Sequence, residues 1–261
     1  MFINNIDQLK QFYQECQKDK KIAIDTEFYW VSTYKPELCL IQIANTRRTI
    51  LIDTIEHNFD LELVKKLLQS NKILKVFHSA RQDLEIFYNL FKVIPKKIFD
   101  IQIAVMALGY DLSTSLKQIC QDFVGINLEK QKQRCDWRAR PLSKKQINYA
   151  INDVEHLLFI HTKIKNKLLQ MNRQGWINEL HEKLLNENNY SKKYLHIWEK
   201  IKFEPKNYNE LYLLKKISSY REVRAIDLNK SPKKIMSNNV IINLCKESID
   251  LTSKDNLLNK L

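Results

Sequence analysis

Four carboxylates interrupt stretches of chain that otherwise read as core, and this restricts the fold more than any other feature. Asp25 and Glu27 lie in KKIAIDTEF, Asp83 in KVFHSARQDLEIF and Asp153 in QINYAINDVEHLL. An unpaired carboxylate is costly to desolvate, so these segments must bring their acids to the edge of a core. Carboxylates gathered there usually hold hard cations, which neutralise their mutual repulsion. Phosphodiester cleavage is the chemistry that most often needs such a cluster.

The surrounding pattern supplies a frame for that edge. Strand-like runs occur at 21–28, 38–45, 48–54 and 73–79, and the first three are close enough in sequence to form an antiparallel meander. Helical periodicity follows at 61–69, 80–91, 101–108 and 115–124, and then as one stretch from Ser143 to about Leu169. Strands paired first as a meander and then joined through helices predict an α/β fold, a mixed sheet with helices on its faces. Ser143 and Gln146 have the spacing of a capping box, and Gly125 stands where a helix would stop. Residues 1–17 read as a short strand entering an amphipathic helix, with Ile6, Leu9, Phe12, Tyr13 and Cys16 on one face. Around 186–194 the apolar spacing lapses, as in a linker, and short helical patterns resume at 210–228 and 238–248.

Bulk properties narrow the class. No apolar run approaches the length of a membrane span, and residues 1–17 lack the layout of a secretory signal. The five cysteines form no CxxC pair, which argues against a disulfide framework or zinc site and fits a reducing cytoplasm. The formal charge of +13 suits a polyanionic partner. A Lys-, Asn- and Ile-rich composition with only 3 Gly is the competing source of that charge.

Asp25 and Glu27 are two apart on a strand, so they share a face. Tyr149 and Asp153 are four apart on a helix, and again share a face. Asp83 falls in the first turn of a helix, where favourable interaction with the helix dipole is the plainer explanation. Surface amphipathicity likewise competes as the account of Tyr149 and Asp153. Each signal alone is weak; their order and context together are not.

Asp25-Thr26-Glu27, the segment HSARQDL from His78 to Leu84, and YAIND from Tyr149 to Asp153 resemble the three motifs of the DEDD superfamily of 3′–5′ exonucleases. The YxxxD spacing resembles its tyrosine subclass, since the histidine subclass would carry His where Asn148 stands. The run RCDWRARPLSKKQINYA at 134–150 is similar to the ribonuclease D family, and the similarity covers most of residues 1–175. The resemblance implies a ribonuclease-H-like fold and two divalent metal ions, Mg²⁺ or Mn²⁺, roughly 3.5–4 Å apart. It implies that Asp25 bridges both ions, that Glu27 and Asp153 complete one site, and that Asp83 supports the other. Tyr149 would orient the attacking water, because a phenol with a pKa of about 10 is a poor base at neutral pH.

The segment 128–145 interleaves basic residues with Trp137, a pattern suited to single-stranded nucleic acid. Arg134, Trp137, Arg138 and Arg140 are therefore candidate RNA contacts, with core packing the alternative for the Trp. Phe28, next to Glu27, could wedge against the terminal base or simply pack. His78 is a further candidate contact, although a structural hydrogen-bonding role suits it as well. The segment 195–261 resembles the small helical HRDC module shared by RecQ-type helicases and ribonuclease D, with room for one copy, short of its last helix. The expected organisation is an exonuclease domain at 1–175, a helix end and linker at 176–194, and this helical domain at 195–261. By resemblance the chain would trim single-stranded 3′ ends of RNA, such as tRNA precursors, releasing nucleoside 5′-monophosphates, with no obligate protein partner evident and no membrane. A DNA-directed exonuclease and a catalytically silent RNA-binding protein remain the alternatives.

Overall fold

The apolar runs fold as neighbouring strands of one sheet in a computed structural model that describes residues 1–56, 60–128, 135–191 and 194–247. The strands are β1 (Lys21–Tyr29), β2 (Glu37–Ala44), β3 (Thr49–Asp53), β4 (Leu74–Phe77) and β5 (Ile98–Asp100), in the order β3-β2-β1-β4-β5. The first three form the antiparallel meander, while β4 lies parallel to β1 and β5 parallel to β4. Parallel pairing needs a crossover, and helices α2 (Glu62–Gln69) and α3 (Arg81–Phe91) occupy those connections.

Alternation along the strands builds two cores. Ile22, Ile24, Ile41, Ile43, Ile50 and Ile52 pack on one face with Leu9, Phe12 and Cys16 of α1 (Ile6–Asp19) and with Leu67 and Phe87. Ala23, Ala44 and Val76 point the other way. Those small residues admit α4 (Ile101–Met106), α5 (Leu116–Val124) and α7 (Leu157–Gln170), through Ile101, Ile119, Leu157 and Ile164. Helix α6 (Lys144–Glu155) packs on β1, β2 and β3. The capping box of Ser143 and Gln146 is formed, and Gly125 ends α5 at φ +77°.

Three features differ from the sequence expectation. The helix from Ser143 breaks at His156 into α6 and α7. Two separate apolar clusters on one sheet face account for the break: α6 turns Ala150 and Tyr149 toward Trp137 and Leu51, whereas α7 turns Leu157, Ile160 and Ile164 toward the cluster around Ala23 and Ala44. Strand β5 is only three residues long, too short for a period to register. Finally, α8 (Gln174–Leu184) and the 3₁₀ turn Glu187–Asn189 continue the first unit, with Ile177 in its core and the Tyr190 hydroxyl donating to Leu184 O at 2.7 Å.

The chain divides into two compact units. The first comprises Met1–Tyr29 and Pro36–Ser191. The second comprises Lys192–Leu261 together with Trp30–Lys35, the connection between β1 and β2. Within its described residues the second unit is all-helical around α9 (Tyr208–Asp227), α10 (Pro232–Ile235) and α11 (Asn238–Lys246). Leu213, Leu214, Ile217, Met236, Ile241 and Cys245 form its core, in keeping with an HRDC-like module. Arg221 threads through it, donating to Met236 O at 3.2 Å and to Asn238 Oδ1 at 2.7 Å. Among the described residues no helix is long and apolar enough to cross a membrane, and all five cysteines are free thiols.

Candidate active site

Strand β1 is central in the sheet, and its C-terminal half carries Asp25 and Glu27 on one face. The β1–β2 register slips between Glu27 and Phe28. A bulge at this point re-aims the side chains on either side of it. Helix α6 brings Asp153 over the same strand, and Asp25, Glu27 and Asp153 each offer an oxygen within 4.8 Å of the others. Tyr149, one turn earlier, hydrogen-bonds the Asp153 carboxylate.

This proximity is expensive while all three groups are ionised. Burial, and then the charges of Asp83, Asp153 and Glu27, push the Asp25 carboxyl well above its usual range. Burial, followed by Asp153 and Asp83, raises Glu27 to about 9. Burial raises Asp153 to about 7 against the opposing bond from Tyr149. Converging all-oxygen donors that repel one another when ionised fit a hard divalent cation, and suit Mg²⁺ or Mn²⁺ better than zinc.

Asp83 stands outside that trio. It is buried in the first turn of α3 and accepts a 2.5 Å hydrogen bond from the Thr26 hydroxyl. Burial lifts its carboxyl to about 7 in spite of that bond. The turn feeding α3 is held from β5, because Asp100 accepts from Ser79 N at 3.1 Å, Ala80 N at 2.8 Å and Gln102 N at 2.8 Å. Ser79 takes φ +62° there, and Asp100 N donates to Nε2 of the buried His181 at 3.0 Å. The expectations drawn from the sequence gave Thr26 and Asp100 no role. An Asp directly before the α4 periodicity was the available helix-cap signal.

A second omission is Gln42, which is 0% exposed and lies opposite Asp25 in the β1–β2 register. Directly paired residues on antiparallel strands share a face. Neither atom of the Gln42 amide has a hydrogen-bond partner among the described residues. A lone Gln inside LCLIQIAN was the trace it left in the sequence.

The candidate RNA contacts separate into different kinds. Arg138 is exposed, stacks 3.4 Å over the Tyr29 ring and pairs with Asp136 at 3.0 Å. Phe28 is half-buried just after the bulge. His78 is half-buried, its Nε2 has no partner among the described residues, and burial holds its pKa below the usual value against the Asp100 charge. Arg134 lies outside the described residues. The structure gives Trp137 and Arg140 a different job. Trp137 is 2% exposed and packs with Leu40, Leu51 and Ala150, its ring 6.1 Å from that of Tyr149, so it offers no face for a base to stack on. Arg140 donates to both Asp53 oxygens, to the carbonyls of Trp137 and Ala139, and to Cys39 O. All five of its N–H groups are thus used inside the protein.

Comparison with known proteins agrees with this geometry. Residues 1–169 match the family described as 3′–5′ exonuclease. The chain is 38% identical to ribonuclease D of Bartonella henselae, over 88% of this chain and 58% of that protein. It is 36% identical to ribonuclease D of Sphingobium indicum, over 85% of this chain and 57% of the other. Its fold is similar to that of Escherichia coli RNase D, an exoribonuclease involved in structured RNA processing. There the TM-score is 0.86 at 25% identity, covering 94% of this chain and 65% of that one. The chain therefore spans less than two thirds of the length of these curated relatives.

Proposed function

Because the chain belongs to the 3′–5′ exonuclease family, on its ribonuclease D branch, we propose that it hydrolyses RNA from the 3′ end. The observation that carries this reading is the convergence of Asp25, Glu27 and Asp153 within 4.8 Å, with Tyr149 bonded to Asp153. Asp25, Glu27 and Asp153, supported by Asp83, would hold two divalent ions, Mg²⁺ or Mn²⁺. The chemistry supplied by such ions when bound is charge neutralisation at the phosphodiester and acidification of the attacking water.

The protein's own groups do the positioning. Tyr149, fixed by Trp137 behind it and by its bond to Asp153, orients the water rather than deprotonating it. Thr26 fixes the Asp83 carboxylate against β1, beside the strand residues that carry the site. Water adds to phosphorus, the bond from phosphorus to the 3′ oxygen of the preceding nucleotide breaks, and that oxygen takes a proton. The products are a nucleoside 5′-monophosphate and an RNA shorter by one residue. Arg138 on its Tyr29 platform, Phe28, His78 and Arg134 are the proposed RNA contacts. The ribonuclease D relatives support RNA as the polymer, and precursor tRNA with extra 3′ residues is the proposed substrate. The free thiols support a cytoplasmic setting.

A time course on 5′-labelled single-stranded RNA with Mg²⁺ tests the reading, with a matched DNA oligomer alongside. A ladder shortening from the 3′ end is expected for the wild type, and none for Asp25→Asn or in EDTA. RNA bound tightly yet left intact, or DNA degraded faster than RNA, overturns it.

A further inference from the structure

The far end of the same sheet carries a second cavity, remote from the carboxylates. It measures about 490 Å³ and is lined by Lys20, Lys21, Lys97, Lys165, His161 and Thr162. Lys21 opens β1 four residues before Asp25, which places the cavity about 13 Å along an extended strand from the nearest carboxylate. Four lysines line it, from three segments of chain. The acid beside them, Asp19, is already engaged, accepting from Thr46 N at 3.2 Å and Thr46 Oγ1 at 2.7 Å and pairing with Arg47 at 3.7 Å.

The backbone fixes where two of these lysines begin. Lys20 and Lys97 both take left-handed φ values, +60° and +54°, which side-chain-bearing residues seldom adopt. Each carbonyl is tied to β4: Leu74 N donates to Lys20 O at 2.8 Å, and Lys75 N donates to Lys97 O at 3.0 Å. Lys20 also caps the C-terminus of α1, where a cation is favourable without any ligand. Lys97 and Lys165 cap no helix and have no such explanation.

His161 adds an independent observation. It is 7% exposed, its ring stands edge-on to Phe99 at 4.6 Å, and its Nδ1 has no hydrogen-bond partner among the described residues. At two buried groups lysine charge adds to the effect of burial. Burial, then Lys21 and Lys165, lowers His161 to about 4. Burial, then Lys97 and Lys96, lowers the neighbouring Lys75 to about 7.

We propose that this cavity is a second, non-catalytic site for a phosphate-bearing ligand of nucleotide size, held by Lys20, Lys21, Lys97 and Lys165 with the His161 imidazole at its wall. Phosphate oxygens would satisfy several ammonium groups at once and relieve the repulsion among them. The volume lies within the range of small-ligand pockets, and Leu74 and Leu169 give the lining an apolar portion against which a base or ribose could rest.

The test is calorimetric titration of the full chain with inorganic pyrophosphate and with a nucleoside diphosphate, in Mg²⁺ and again in EDTA. Binding at the carboxylates needs the cation; binding in the lysine cavity does not. Saturable binding in EDTA is expected, weakened about tenfold or more in Lys97→Gln/Lys165→Gln, with the His161 ring resonances shifting as ligand is added. The control Lys202→Gln/Lys206→Gln should leave the affinity unchanged. No binding in EDTA, or equal weakening by both double variants, overturns the site in favour of diffuse charge. Binding there of single-stranded RNA but of neither small ligand overturns the nucleotide-sized class and assigns the lysines to the RNA backbone.

Discussion

Arg140 grips Asp53 across 87 residues of sequence, its Nε 2.6 Å from one carboxylate oxygen and its Nη2 2.7 Å from the other. The pair ties the segment before α6 to the end of β3, and so sets the position from which Tyr149 and Asp153 are presented. Burial alone would raise the Asp53 carboxyl, but the Arg140 bonds and the N–H groups of Glu56 and Ile55 outweigh it and hold it below its usual value. The stabilisation is therefore present above the ordinary carboxylate range and lost as pH falls through the depressed value. Replacing the planar fork by Lys in Arg140→Lys should destabilise the fold by about 3 kcal/mol near neutral pH. Denaturant melts would show the difference shrinking in acid. RNA affinity of the folded variant should hold; a large drop in affinity with unchanged melts would return Arg140 to the RNA surface.

The carboxylate trio should make cation binding stabilise the protein more at high pH than at low. Carboxyls whose folded pKa is raised keep protons that the unfolded chain gives up. Their contribution is full below the ordinary carboxylate range and is lost as pH rises through about 7 for Asp153 and Asp83 and about 9 for Glu27. Mg²⁺ should offset that loss, so its effect on Tm should be larger near pH 8 than near pH 6. Asp25→Asn should melt higher than the wild type in EDTA and gain little from Mg²⁺. An equal Mg²⁺ shift at both pH values would contradict the electrostatic account of the cluster.

Those two cases show where sequence reading succeeds and where it stops. Asp25 with Glu27, and Tyr149 with Asp153, were legible because both relationships are local, two residues on a strand and four on a helix. The capping box and the Gly125 stop were legible for the same reason. The break at His156 was not, because an apolar stripe continues through it and only the choice between two neighbouring clusters divides it. Trp137 looked like a stacking platform since basic neighbours surround it in sequence, yet it packs on Leu51, 86 residues earlier. The lysine cavity is assembled from four segments, none of which shows a motif alone.

Trp137 should behave as a prop for Tyr149. Trp137→Ala should cost about 3–5 kcal/mol from the lost core volume. Trp137→Phe, which keeps an aromatic surface against Tyr149, should fold well and bind single-stranded RNA as the wild type does. Filter binding at fixed salt checks this. A loss of about tenfold in affinity for Trp137→Phe, without loss of stability, would instead mean that a base stacks on the indole.

Gln42 is a buried group to which nothing among the described residues gives a structural reason. Its amide is fully buried, unpartnered at both atoms, and paired in register with Asp25. An unsatisfied buried polar group costs about 1–3 kcal/mol, and an apolar replacement of similar shape removes the cost. Gln42→Leu should therefore raise stability by about 1 kcal/mol, or roughly 2–4 °C in Tm for a unit of this size. If the amide orders Asp25 or water at the carboxylates, kcat should fall in the same variant while KM stays near the wild-type value. Gln42→Asn, with a shorter reach, should lose activity without gaining stability. A higher Tm with full activity in Gln42→Leu would show that the amide serves neither the fold nor the reaction.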